Sequence, residues 1–265
     1  MRVLLPAEFT EAHRKLALAY LVRGHTFNPQ EWREAIPAFD LLHDAAVVTS
    51  TGVMPFPVLY QREIEARYAA EYIQLLWQGE GQSTAHWAAV ARRIPQDLAQ
   101  KGFYRPTMPA TRFLLVYCLY WWRAFTLGYA LEVEIQRDLE ATGVRFEAED
   151  LLTPRGRRAP FDLAVSGFKG DVKTSLYFLH ATRSRALRHD FYITRVVGGG
   201  RVRTLVVFLQ PEMWQTIDGD TLLVLLTKIA THLPDALHLV YEGHELVVVD
   251  YALWKQKILQ YQKRS

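Results

Sequence analysis

The sequence predicts a mixed α/β (α+β) protein in two parts: a mostly helical N-terminal lobe over residues 1–108 and a sheet-containing domain over 109–265. Three observations carry that expectation. Apolar residues recur at helical spacing through the first part, and short β-like runs separated by turn residues fill the second. Half of the 265 residues are hydrophobic and 22% are charged, which excludes a disordered, collagen-like or low-complexity chain. A chain of this length can bury one large core or two smaller ones.

In the lobe, Pro6 to Val22 places Phe9, Leu16, Ala19 and Tyr20 near one helix face, and Leu59 to Trp77 does the same with Ile64, Tyr68, Tyr72, Leu75 and Leu76. Asn28-Pro29, the Pro55 and Pro57 pair and Gly79-Glu80-Gly81 punctuate these segments. Ser83 to Tyr104 fits two helices of a helix-turn-helix, or equally an ordinary helix pair with inward apolar faces; no recognition helix stands out. From Thr111 onward, a long apolar helix Phe113 to Tyr129 runs into or abuts Ala130 to Ala141, with Gly143 as its C-terminal cap. The β-like runs follow at 144–148, 161–165, 171–175, 191–197, 203–209, 237–241 and 245–249, with helices expected at 179–188 and 221–233.

The single cysteine, Cys118, excludes a disulfide framework and a cysteine-rich zinc module, and its apolar surroundings suit a small buried hydrophobe. The most apolar segment, Phe113 to Trp122, stops at Arg123, well short of the roughly 20 residues a membrane span needs. Met1 to Pro6 carries too short an apolar run for a signal peptide. The expectation is a cytoplasmic protein with no membrane partner.

The segment richest in chemistry is Pro160-Phe161-Asp162, followed after eight residues by Asp171-Val172-Lys173. Two β-like runs flank Ser166-Gly167-Phe168-Lys169-Gly170. A type II′ turn centred on Gly167 and Phe168 would set Asp162 opposite Lys173 and Ala164 opposite Asp171. Side chains alternate along a strand, so Asp162, Ala164, Asp171 and Lys173 would emerge on one side of the hairpin, whereas a one-residue slip would turn Asp162 away. Two carboxylates with the Val172 carbonyl are hard ligands of the kind Mg²⁺ accepts, with Mn²⁺ as a substitute. A metal so held makes bound water a better nucleophile toward a phosphodiester, and Lys173 could orient that water or meet the developing negative charge. An acid from a neighbouring helix would complete the site.

This arrangement resembles the PD-(D/E)XK nuclease superfamily, the restriction-endonuclease-like fold, over roughly residues 120–210. The resemblance implies a mixed sheet core flanked by helices, with a Glu-bearing helix first, then Asp162 on the second strand and Asp171 and Lys173 on the third. It makes Asp162, Asp171 and Lys173 the catalytic residues by direct motif correspondence. Its helical glutamate falls on Glu132, which follows Gly128 by one turn and shares a stripe with Gln136, beside the apolar stripe Leu127, Leu131, Ile135 and Leu139. Glu134, on the other flank of that helix, is the second choice.

The net charge of +3 is unevenly spread. Between Thr153 and Arg203 stand eleven basic residues against three acidic ones, a net +8 that leaves −5 for the remainder. Arg155, Arg157 and Arg158 before the first Asp, and Arg183, Arg185 and Arg188 after Lys173, are the expected contacts to a phosphate backbone. The expected function is metal-dependent endonuclease activity, on DNA in preference to RNA, with a homodimer or protein complex formed through the helical lobe. The competing expectation is a catalytically inactive nucleic-acid-binding or scaffold protein of the same fold, as a subunit of a larger machine. His180 and His189 are read as helix-surface residues near the site, His238 and His244 lack the other ligands of a zinc centre, and Gly198-Gly199-Gly200 reads as a turn.

Overall fold

The computed structural model describes residues 1–79, 82–174, 189–198, 200–210, 219–233, 235–241 and 243–264. It is a mixed α/β structure with two sheets, one of three strands and one of six. The chain divides into two compact units, Met1–Thr126 and Leu127–Ser265. The expected domain boundary at 108/109 lies just before a 32-residue helix, Thr111–Thr142, and the division between units falls inside that helix.

The first unit begins with β1 (Arg2–Leu4), and its helix α1 (Glu11–Arg23) is opened by a capping box between Thr10 and His13. Helix α2 (Pro29–Leu41) starts the same way, with Asn28 capping and Glu31 reaching back. Strands β2 (Ala46–Thr49) and β3 (Gly52–Pro55) join β1 in an antiparallel sheet that the helical reading of the lobe misses. Strands of three or four residues are too short to show an alternation against the helices around them.

Helix α3 (Phe56–Tyr60) passes through a π turn at Gln61–Glu65 into α4 (Ala66–Gln78). The expected helix pair at 83–104 is instead one helix, α5 (Gln82–Gln100), which removes the helix-turn-helix reading. Val90, Ile94 and Leu98 are all buried at four-residue spacing, so one apolar stripe carries the helix unbroken past Pro95. The start of α6 (Thr111–Thr142) completes this unit's core, where Phe39, Phe56, Tyr117 and Trp122 are fully buried and Phe39 stacks on Tyr120 at 4.2 Å. Cys118 is completely buried there, and burial, with the Glu63 charge behind it, pushes its thiol pKa far up.

In the second unit α6 ends as its sequence predicts. Gly143, at φ 76°, donates to the Glu140 carbonyl and Val144 to that of Leu139, the paired bonds of a Schellman motif. The expected strand at 144–148 does not form beyond one isolated bridge, Glu147 to Ala164. The Gln262 side chain takes the place of a ladder at Arg145, accepting from its N–H and donating to its carbonyl, each at 2.8 Å.

The large sheet comprises β4 (Leu163–Val165), β5 (Phe168–Lys173), β6 (Phe191–Gly198), β7 (Arg201–Leu209), β8 (Ala236–Tyr241) and β9 (His244–Asp250), in the order β4-β5-β6-β7-β9-β8. Only β5 and β6 run parallel. Leu131, Ile135 and Leu139 of α6 pack against Leu163, Val165, Val172, Phe191 and Ile193, together with Trp254 of α8 (Tyr251–Arg264). The opposite face carries Tyr192, Val196, Leu205 and Val207 against Leu226, Ile229 and Ala230 of α7 (Gly219–His232). Helices thus cover both faces, which is how a sheet with a parallel pair is kept from water. The helix expected at 179–188 lies outside the described residues.

Candidate functional site

The hairpin of β4 and β5 turns on Ser166 and Gly167, with φ of 52° and 88°. Positive φ at both central residues marks a type I′ turn, whose twist matches that of the strands it joins. Val165 therefore pairs with Phe168, Ala164 with Lys169 and Leu163 with Gly170. The register differs by two residues from the expected type II′ arrangement, so Ala164 faces Lys169 and not Asp171. A slip of two leaves every side chain on its own face, and Asp171 and Lys173 emerge on the side of Ala164 and Lys169.

Asp162 lies just ahead of β4 rather than within a strand. Its N–H donates to the Gly170 carbonyl at 3.0 Å, and its carboxyl accepts the Val172 N–H at 2.7 Å. The expected pairing of Asp162 with Lys173 does not occur; Asp162 is instead hydrogen-bonded to the carboxyl of Asp171. Lys173 is bound to the same Asp171, with Nζ 2.7 Å from Oδ1 and 2.6 Å from Oδ2. His189 Nε2 stands 3.7 Å from Asp171 Oδ2.

Helix α6 supplies the third carboxyl. Glu132 is buried one position past Leu131, and Gln136 Nε2, also buried, donates to its Oε1 at 3.3 Å. Glu134 is exposed and ion-paired to Arg195 on β6, so it is turned away from the aspartates.

Burial and crowding set the charges. Burial, then the Asp171 charge, push the Glu132 carboxyl up to about 8, against the pull of Lys173. Asp162 is held well above the usual carboxylate range by burial, by its hydrogen bond to Asp171 and by the charges of Glu132 and Asp171. Burial acts on Asp171 in the same sense, but the Asp162 hydrogen bond, Lys173 and His189 together outweigh it and hold this carboxyl below its ordinary value. The cluster therefore stores its protons on Glu132 and Asp162 and its negative charge on Asp171.

Among the described residues, no three His, Cys, Asp or Glu side chains are arranged to hold a metal ion. The donor chemistry nevertheless suits a hard cation: carboxyl oxygens of Asp162 and Asp171 adjoin each other, and Mg²⁺ needs only one or two protein carboxylates with water completing its shell. A cation there would relieve the repulsion that keeps Glu132 and Asp162 protonated.

The arginines are placed unequally. Gly156–Arg158 form a short 3₁₀ turn, and a Cβ on Gly156 would lie 1.9 Å from the Asp150 carbonyl oxygen, so only glycine fits there. Arg157 is committed to that loop, its Nη1 donating to the Leu151 and Leu152 carbonyls at 3.0 Å, whereas the side chains of Arg155 and Arg158 are exposed. Arg183, Arg185, Arg188, Ser175 and His180 lie outside the described residues. Arg203, counted in the basic stretch, pairs with Asp250 and with carbonyls at the end of α7.

Thr194 is a neighbour that the sequence reading misses. It pairs with Lys173 across the parallel β5–β6 register, is completely buried, and its Oγ1 has no hydrogen-bond partner among the described residues. Nothing local in the sequence announces a parallel pairing between segments twenty residues apart. His238 lies 3.9 Å from Glu245 with both side chains mostly exposed, a surface pair.

Among the described residues, no helix is long and apolar enough to cross a membrane. Comparison with family models, with curated proteins and with solved structures finds no match to the chain.

Proposed function

We propose that this protein is a metal-dependent endonuclease that hydrolyses phosphodiester bonds, with DNA the preferred polymer, Mg²⁺ the cofactor and a core of the restriction-endonuclease-like type. The observation that carries the reading is the packed group of Glu132, which is buried, with Asp162 and Asp171, which are half-buried, and Lys173 on Asp171. Crowding several carboxyls together out of bulk water works against folding unless a cation or a proton neutralises them, so a structural role explains the grouping poorly. Their order along the chain, helix Glu, then Asp, then Asp-x-Lys on the next strand, and the helix-covered mixed sheet support the same reading.

In this reading Asp162, Asp171 and the Val172 carbonyl would hold the ion, with Glu132 beside them. Bound Mg²⁺ supplies an activated water and neutralises charge on the phosphate. The Asp162 carboxyl is fixed by the Val172 N–H, which keeps its oxygens beside Asp171. Lys173 orients the attacking water or meets the negative charge on the phosphate as the bond breaks. The exposed Arg155 and Arg158, a few residues before Asp162, contact the phosphate backbone. The test is incubation of labelled DNA and RNA with the full chain in Mg²⁺, Mn²⁺ or EDTA, beside Asp171→Ala. Cleavage by the parent in metal alone supports the reading; equal cleavage by the variant, or cleavage in EDTA, refutes it.

A further inference from the structure

At the turn end of the β4–β5 hairpin lies a cleft of about 470 Å³ whose walls include Arg145, Phe146, Phe161, Lys169 and Tyr261. Its size falls within the range of small-molecule sites. The walls are preorganised: Gln262 clamps the Arg145 backbone in both directions and also reaches Ser166 Oγ at 3.3 Å, while the Arg145 guanidinium donates to the Gln262 carbonyl at 2.8 Å. The Lys169 ammonium stands 5.3 Å from the centre of the Phe161 ring, bringing a positive charge and an aromatic face to one place. The lining holds two cations, Arg145 and Lys169, against one acid, Glu147.

Aromatic faces interleaved with cations suit a nucleobase and its phosphate, because every base offers a π face and every linkage a negative charge. Position makes the match specific. Phe161 directly precedes Asp162, and Lys169 lies two residues before Asp171 on the same strand face, about 7 Å along β5. That is roughly the reach of one nucleotide. We infer that this cleft binds an unpaired nucleobase with its phosphate, one nucleotide from the linkage held at Asp171. The placement of the cut bond rests on the proposed nuclease reading, while the base-binding site rests on the cleft itself.

The test reads binding without cleavage. A fluorescein-labelled oligothymidylate of about ten nucleotides, within the span of common single-strand sites, is titrated with the full chain in EDTA and followed by anisotropy. A blunt duplex of the same length is titrated in parallel. Phe161→Ala is expected to weaken single-strand binding about tenfold, and Phe161→Trp to keep it. Lys169→Gln is expected to weaken it and to reduce the salt slope by about one phosphate contact. Circular dichroism and melting confirm that each variant is folded, and Phe161→Trp and Lys169→Gln carry the test if Phe161→Ala is not.

No single-strand binding by the parent, parent-like affinity in the alanine and glutamine variants, or an equal loss on the duplex overturns the inference. Failure of the two readings is distinguishable. A chain that never cuts but loses single-strand affinity on Phe161→Ala keeps the cleft and loses the nuclease; a chain that cuts in Mg²⁺ and whose variants bind like the parent does the reverse.

Discussion

Glu132 ties the stability of the protein to pH in a direction opposite to that of an ordinary paired carboxylate. Its carboxyl moves from 4.5 up to about 8 on folding. Between those values the folded chain keeps a proton that the unfolded chain has lost, so stability falls as pH rises, fully present below 4.5 and fully lost above 8. At about 1.4 kcal/mol per pH unit the loss is at most about 5 kcal/mol. Relaxation and water entry around the new charge bring the expected loss to about 2–3 kcal/mol. Asp162, raised for the same reasons, acts in the same sense. Asp171, already ionised below its ordinary 3.8, adds no slope in this window.

The perturbation is Glu132→Gln, which keeps the shape and the Gln136 neighbour but removes the titration. Urea unfolding in EDTA at pH of about 5, 7 and 8.5 is the assay. With a urea slope of about 3 kcal/mol/M, the parent midpoint should fall by about 1 M across that range. The variant midpoint should fall much less, and the variant should be the more stable protein at the alkaline end. Parallel pH curves for the two proteins would refute the claim that Glu132 is buried, protonated and repelled by Asp171.

Other substitutions test the framework around the site. A Cβ on Gly170 would sit 2.2 Å from the Phe191 ring, which is buried against Phe208 and Trp254, so Gly170→Ala should cost about 2–3 kcal/mol in urea unfolding. Arg203 closes the end of α7 through the Ala230 and Leu233 carbonyls and pairs with Asp250 at 3.1 Å. Arg203→Ala should lower stability by about 2 kcal/mol, and Arg203→Lys should recover only part of it because the fork is lost. Cys118 should stay unreactive toward a thiol reagent in the native protein and react once on unfolding; native-state labelling at the rate of a free thiol would contradict its burial.

The features legible in the sequence were those written in local spacing. Leu131, Ile135 and Leu139 announce the buried stripe of α6, Gly143 announces its end, and the alternation around Asp171 announces which side chains share a face. Parity also explains why a turn centred one residue earlier than expected, which shifts the pairing by two, keeps Asp171 and Lys173 on the face of Ala164. What the sequence hid depends on partners far along the chain. Gln262 takes the backbone bonds of Arg145 in place of a strand partner, and the Val172 N–H anchors the Asp162 carboxyl just ahead of β4. The parallel pairing that sets Thr194 beside Lys173 belongs to the same class. The three-stranded sheet of the first unit is hidden because strands of three or four residues are too short to establish an alternation.

The decisive measurement of the proposed activity is single-turnover cleavage in Mg²⁺ by the parent, Asp162→Asn, Asp171→Asn and Lys173→Met, each shown to be folded. The parent should cut only with metal, and each variant should lose on the order of a thousandfold or more, the size of removing a group that stabilises the transition state. Cleavage by all three variants at the parent rate would contradict it.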